Sequence, residues 1–344
     1  MTHIDQALSM LGGCGPEFGS IGLSNHGPMA AEALVALGRG DAVEDWVAKY
    51  RKRLDERPAN VERIEPANWE AALGRFERVS DWEDFFAAEL DSAPWRELLD
   101  TWVPRLAVGM MAGATHGLIR TAHAVRSLAA NENEPLRRAE LIALLAYWAA
   151  RYQAMPGSPR PTEPRLASAA LPVIPIMPLD LRNSRPTTIF SAVAELDAYS
   201  PFADVINMAA PGDDLAAWIS DLTTTMVQAY LQNVGPNTIA YVHTVTAPSA
   251  LRMLVPHVSE ASARVAARYA WQACAAIHSR SHNPHEVTLP DHEPGRDELI
   301  DLCVISGDEH AIKFTEACLR EYALSPDPAF LAGPLQASTR HRRG

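Results

Sequence analysis

The stretch MMAGATHGLIRTAHAVRSLAA, residues 110–130, and the stretch LRRAELIALLAYWAARYQAM, residues 136–155, decide the fold. Leu118, Ala122, Val125 and Leu128 recur at the three- and four-residue spacing of a helix rather than the two-residue spacing of a strand. The second stretch stops at Pro156-Gly157, a pair that ends helices. Two long helices joined by a short polar link, with few alternating segments or hairpin turns around them, predict an all-α protein.

Working outward, helical spacing predicts further helices over 27–38, 41–53, 69–76, 81–90 and 95–106. On the other side they are predicted over 188–196, 213–232, 237–243, 247–255, 260–278 and 308–322. Pro28 in a first turn and Gly38 after a last one mark ends of the first of these. Residues 1–25 are rich in Gly and Pro and are expected to be irregular. Residues 325–344 end in a basic run and are expected to be a flexible tail. Between residues 158 and 188 stand Pro159, Pro161, Pro164, Pro172, Pro175, Pro178 and Pro186, so this segment cannot be one long helix. It is expected to connect two helical halves of one large domain spanning 1–344, with its apolar residues packed down.

The 344 residues are 47% apolar and carry a net charge of -12. The apolar share supports a substantial core. The acidic balance argues against a nucleic-acid partner, because phosphate binding needs a basic face, and against an anionic membrane surface. No apolar run approaches the roughly 18 residues of a bilayer span. No basic segment followed by an apolar one opens the chain, so a cytoplasmic location is expected. Cys14, Cys274, Cys303 and Cys318 are scattered without a C-x-x-C, which fits free thiols.

Twelve histidines are present. His3 and His341 lie at the termini; His282, His285 and His292 lie in a polar loop. His26, His116, His123, His243, His278 and His310 stand in apolar helical contexts. Each alone reads as a hydrogen-bonded core residue, but several in one helical chain raise the odds of a metal site built from inward-pointing side chains. No H-E-x-x-H is present, nor a ferritin-like E-x-x-H, so a zincin and a carboxylate-bridged di-iron site are disfavoured. Lys313 lies one turn after His310. Buried, it would tend to the neutral amine, and a neutral amine can take up carbon dioxide as an anionic carbamate. Spacing alone favours the plainer alternative, a surface pair with Glu309 or Glu316.

The chain resembles the questin oxidase-like family over about residues 26–322. The resemblance rests on Asn25-His26 leading into Pro28-Met29-Ala30-Ala31-Glu32, on Ala114-Thr115-His116-Gly117-Leu118-Ile119-Arg120-Thr121-Ala122-His123, and on Ala146-Tyr147-Trp148-Ala149-Ala150-Arg151-Tyr152. His243-Thr244-Val245-Thr246 and Gly307-Asp308-Glu309-His310-Ala311-Ile312-Lys313 complete it. It implies an oxidoreductase, a non-haem Fe(II) oxidase or dioxygenase that inserts oxygen into, or cleaves, an aromatic polyketide or quinone in secondary metabolism. It also implies metal ligands at His26, His116, His243 and His310, with Lys313 as a carbamate donor and O2 as co-substrate. Fungal relatives carry other residues where Arg120 and His123 stand, which suggests that these two face the substrate pocket. Asn25, Thr115 and Glu309 are candidate outer partners, from adjacency. Two alternatives stay open: a Baeyer–Villiger oxidase using NADPH without bound flavin, and a helical metal-dependent hydrolase. Gly12-Gly13-Cys14-Gly15 lacks the strand–helix context of a dinucleotide site. Trp82, Phe86, Trp148, Tyr152 and Trp218 are candidate pocket walls, although aromatics at such spacing more often form core.

Overall fold

The computed structural model describes residues 1–183, 185–233, 235, 238–285 and 293–340. The protein is all-α, as its periodicity predicts. It divides into two compact units, Met1–Ala154 with Met253–Ala266, and Met155–Arg252 with Ala267–Gly344.

The first unit contains α1 (His3–Leu11), α2 (Gly27–Ala36), α3 (Val43–Tyr50), α4 (Val79–Ser92), α5 (Trp95–Ala107), α6 (His116–Ala130) and α7 (Pro135–Ala150). α7 packs against both α4 and α6. Nearly every position of α6 is buried, the signature of a helix inside a core rather than on its surface. Trp82, Phe86 and Trp102 stack edge-on and face-on with one another, so the candidate pocket walls Trp82 and Phe86 are core. Trp148 is fully buried too, its Nε1 donating to Gly109 O at 3.2 Å.

Residues 1–25 are not irregular. α1 is closed by a capping box in which Thr2 and Asp5 satisfy each other's backbone amides. Asp5 also accepts from Arg137 Nε of α7 at 2.7 Å, with both side chains buried. Losing one partner of such a pair costs about 3–5 kcal/mol, so a distant arginine fixes this nine-residue helix. A two-stranded ribbon follows, β1 (Glu17–Phe18) antiparallel to β2 (Leu23–Ser24), with Glu17 opposite Ser24. It delivers the chain to α2.

α6 begins six residues later than the periodicity predicts. Gly113, Ala114 and Thr115 all adopt left-handed conformations, with φ of 53°, 61° and 70°. A right-handed helix cannot propagate through them, and the two residues with a Cβ cost about 1–2 kcal/mol each. The predicted helix over 69–76 is likewise reduced to a 3₁₀ turn at Trp69–Ala72.

The second unit contains α8 (Ala167–Ala170), α9 (Ile189–Val193), α10 (Leu215–Gln232), most of α11 (Thr238–Leu254) and of α12 (Glu260–Ser281), then α13 (Arg296–Ser306), α14 (Glu309–Leu324) and α15 (Ala329–Arg340). Trp218 of α10, another candidate wall, is core as well. α11 replaces two predicted helices and runs straight through Pro248. A proline there removes the amide that would bond Thr244 O one turn back. The Cys274 thiol of α12 donates to that oxygen instead, at 3.2 Å. α10, α11 and α14 meet at the buried Glu321, which accepts from Ser249 Oγ at 2.8 Å, Arg252 Nη2 at 3.0 Å and Thr223 Oγ1 at 3.3 Å. α13 was not predicted at all. α15 occupies most of the expected flexible tail and packs on α10, α13 and α14; residues 341–344 lie outside the described residues.

The proline-rich segment packs, as its apolar residues suggest. Ala167, Ala170, Leu171, Ile174 and Met177 are buried, and Met177 N donates to Ser279 O at 3.0 Å. Among the described residues no helix is long and apolar enough to cross a membrane, and the four cysteines are free thiols. Gly157, where the segment begins, has φ of 103°, and a Cβ there would run into the Ala203 carbonyl oxygen. Gly157→Ala should therefore lower the unfolding free energy by about 1–3 kcal/mol. Urea denaturation measures it, and an unchanged midpoint would contradict the steric demand.

Candidate metal centre

His26 follows the ribbon by two residues and is the N-cap residue of α2. Three contacts fix its backbone. Asn25 Oδ1 accepts from Gly27 N at 2.8 Å, Asn25 Nδ2 donates to Gly15 O at 3.0 Å, and His26 N donates to Tyr50 Oη at 2.7 Å. Its Nδ1 lies 2.6 Å from Ser24 O. His116 is the first residue of α6, and its Nδ1 lies 2.5 Å from Gly113 O, back across the left-handed turn. A carbonyl oxygen only accepts, so in both rings Nδ1 carries the proton and Nε2 the lone pair. The two Nε2 atoms face each other at 2.9 Å, with the rings at 76°. Lone pairs that close repel unless a proton or a metal cation lies between them. The left-handed turn thus explains both the late start of α6 and the aim of His116.

His243 repeats the device on α11, its Nδ1 2.8 Å from Ile239 O one turn back. Its ring centroid lies 5.6 Å from that of His310 on α14. Its Nε2 lies 3.2 Å from Lys313 Nζ. Lys313 is 1% exposed, so the surface-pair alternative is wrong; Glu316 pairs with Arg320 instead, at 3.1 Å. Burial pulls the Lys313 ammonium down to about 7, against the opposing pull of Glu309 and Asp308. Burial, and then Lys313, push the His243 imidazolium well below its ordinary range. Asp308 caps α14, its Oδ1 accepting from His310 N at 2.9 Å and Ala311 N at 3.1 Å. The same carboxylate lies 3.7 Å from His310 Nδ1.

His26 and His116 in the first unit, and His243 and His310 in the second, each offer a ring nitrogen. The first three residues are buried and His310 is half-buried. Neutral imidazoles with fixed tautomers suit first-row divalent metals. The outer partners differ from those expected. Three of the rings are oriented by backbone carbonyls, which no residue-type pattern reveals. Asn25 braces the backbone, and Thr115 Oγ1 is buried with no hydrogen-bond partner among the described residues.

Arg120 and His123 are both held by buried partners. His123 Nδ1 lies 2.6 Å from Glu32 Oε2, and Glu32 also accepts from Arg126 Nε at 2.7 Å. Arg120 Nη1 donates to Pro16 O at 3.2 Å and Ser24 Oγ at 3.3 Å. With Glu32, Ser127, Arg137 and Glu140 they line a cavity with room for about one water molecule. His278 is a core histidine sharing a 3.0 Å hydrogen bond with Tyr241 Oη.

Sequence reasoning missed Glu140, whose only signal is a carboxylate before the apolar run 141–150. Burial pushes its carboxyl up to about 7 from an ordinary 4.5, and its Oε1 is buried without a hydrogen-bond partner among the described residues. The folded protein then holds a proton between those values that the unfolded chain releases. Stability is fullest below pH 4.5 and falls as pH rises through 7. Glu140→Gln should flatten that slope and stabilise the protein at pH 8, read by unfolding across pH 5–8; a slope identical to wild type would refute it. Lys313→Met, which removes a buried amine at similar volume, should stabilise the metal-free protein by about 1–3 kcal/mol. Destabilisation in urea would instead mark the lysine as a structural partner.

Two comparisons with known proteins bear on this site. The family model described as Questin oxidase-like matches residues 23–318, which include all four of these histidines and Lys313. No curated protein matches the chain.

Proposed function

The chain belongs to the questin oxidase-like family, and from that premise we propose that it is an iron-dependent oxygenase acting on an aromatic polyketide or quinone. The observation that carries the proposal is two pairs of imidazoles, one in each unit, with three of the four rings fixed by backbone carbonyls as Nε2 donors. His26, His116, His243 and His310 would hold the ion. Ferrous iron there would supply the one-electron chemistry by which dioxygen reacts with a closed-shell aromatic.

The protein's own groups do the rest. Four neutral imidazoles leave the full dipositive charge in a buried place, and an anionic donor lowers that cost. Lys313 can become one. Its neutral amine, accessible near neutral pH, attacks carbon dioxide; the C–N bond forms, one proton leaves, and a carbamate remains whose single negative charge is shared by two oxygens. The amine's place 3.2 Å from His243 Nε2 supports this role. The backbone carbonyls hold three imidazole protons away from the donor side, so those three rings need not change tautomer to bind.

Protein purified without oxygen should contain about one iron per chain. It should consume dioxygen with a hydroxylated anthraquinone without added nicotinamide, and lose that activity on chelation. Lys313→Ala should lower activity by about 100-fold or more, given that outer-shell changes alone cost 10–100-fold. Added short carboxylic acids should restore part of it. Full oxygen-dependent activity after chelation would sink the proposal, a nicotinamide requirement would point to an external reductant, and undiminished Lys313→Ala activity would reduce the site to histidines.

A further inference from the structure

We infer that Tyr147 and Arg120 are positioning residues, which together lock the two backbone carbonyls that set the tautomers of His26 and His116. The inference rests on the metal-centre reading for its functional meaning, but its geometry stands apart from it.

Tyr147 lies on α7 and is fully buried. Its hydroxyl donates to Glu17 Oε1 at 3.1 Å. The same carboxylate accepts from Arg151 through both oxygens, Nε to Oε1 at 2.6 Å and Nη2 to Oε2. Glu17 stands opposite Ser24 in the ribbon. Burial and the Glu17 charge hold the Tyr147 phenol above its ordinary range, so it remains a donor. The hydroxyl also abuts Gly113: a Cβ there would collide with Tyr147 Oη. Gly113 is the residue whose carbonyl takes the His116 Nδ1 proton. One end of the tyrosine therefore buttresses the carbonyl behind His116.

Its face supports the other. The Arg120 guanidinium lies 4.7 Å from the Tyr147 ring centroid, a favourable cation–π arrangement. From there Nη1 reaches Ser24 Oγ and Pro16 O. Ser24 supplies the carbonyl behind His26, and Pro16 O also accepts from Asn25 N at 2.8 Å. Pro16 immediately precedes the ribbon and Ser24 is its last residue, so the cation ties its two ends together just before His26. A single tyrosine ring is thus packed between the supports of both imidazoles. Any shift of the ring would move Ser24 O and Gly113 O relative to each other, and with them the 2.9 Å separation of the two Nε2 atoms. Arg120 and Tyr147 act on the carbonyls behind the rings. Their contribution is alignment.

Tyr147→Phe keeps the ring and deletes one hydrogen bond; Arg120→Lys keeps the charge and loses the planar fork. Two measurements on the full chain test them. Nitrogen-15 NMR of histidine-labelled, metal-free protein reads the tautomers of His26 and His116. Cobalt(II) titration followed by visible absorption reads the affinity of the candidate centre. Wild type should carry a proton on Nδ1 of both rings. Each variant should mix the tautomers and bind cobalt about 10–100-fold more weakly, with urea midpoints above those of His116→Ala. Wild-type tautomers together with unchanged cobalt affinity in both variants would overturn the inference and leave the metal-centre reading standing. Disturbed tautomers in a protein whose wild type binds no cobalt would overturn the metal-centre reading and leave the positioning role standing. If the Tyr147 variant does not fold, Glu17→Gln weakens the same hydrogen bond and carries the same two readings.

Discussion

A backbone carbonyl cannot give up a proton, and the behaviour of three buried imidazoles follows from that constraint. Ser24 O, Gly113 O and Ile239 O each accept from a histidine Nδ1, so each ring presents Nε2 with its lone pair. A side-chain partner such as a hydroxyl or an amide could have donated or accepted, leaving the tautomer open. The choice of carbonyls removes that freedom. It also ties ring orientation to main-chain geometry. The ribbon before α2, the left-handed turn before α6 and the first turn of α11 are therefore parts of the site as much as the histidines are.

Such an arrangement weakens the fold locally, and the sequence compensates elsewhere. Left-handed Ala114 and Thr115 are strained. Lys313 is an amine in a place that disfavours its charge. Against these stand buried, well-partnered carboxylates elsewhere. Asp5 holds α1 to α7 through Arg137, and Glu321 gathers α10, α11 and α14. Strain concentrated at a chemically rich place and relieved by structural pairs away from it is the usual pattern of a functional centre.

Apolar periodicity carried most of the architecture in readable form, because long buried helices repeat the same face. It failed where one distant contact overruled local preference. α1 lies in a glycine-rich region and depends on Arg137, 132 positions away. α11 reads as two helices because Pro248 hides the thiol that replaces its missing amide. α6 reads six residues too long because the left-handed turn contains Ala and Thr, residues that favour a right-handed helix or tolerate it. At the site, the histidines were legible as polar residues in apolar company. Their grouping came from family resemblance and not from spacing. The burial of Lys313 was illegible because Glu316, its expected surface partner, is taken by Arg320. The carbonyl partners were illegible in principle, since every residue has one.

Cys274 illustrates how misleading a residue's chemistry can be out of context. Burial pushes its thiol well above the ordinary range, and its sulfur donates to Thr244 O. It is therefore neither a nucleophile nor a redox sensor but a repair to the backbone of the helix that carries His243. The practical consequence concerns cysteine-free forms for spectroscopic labelling. At Cys14, which is part-exposed, alanine serves as well as anything. At position 274 only a residue with a short donor, such as serine, preserves the patch; alanine there would strand a carbonyl inside the protein, one residue from a histidine of the candidate centre.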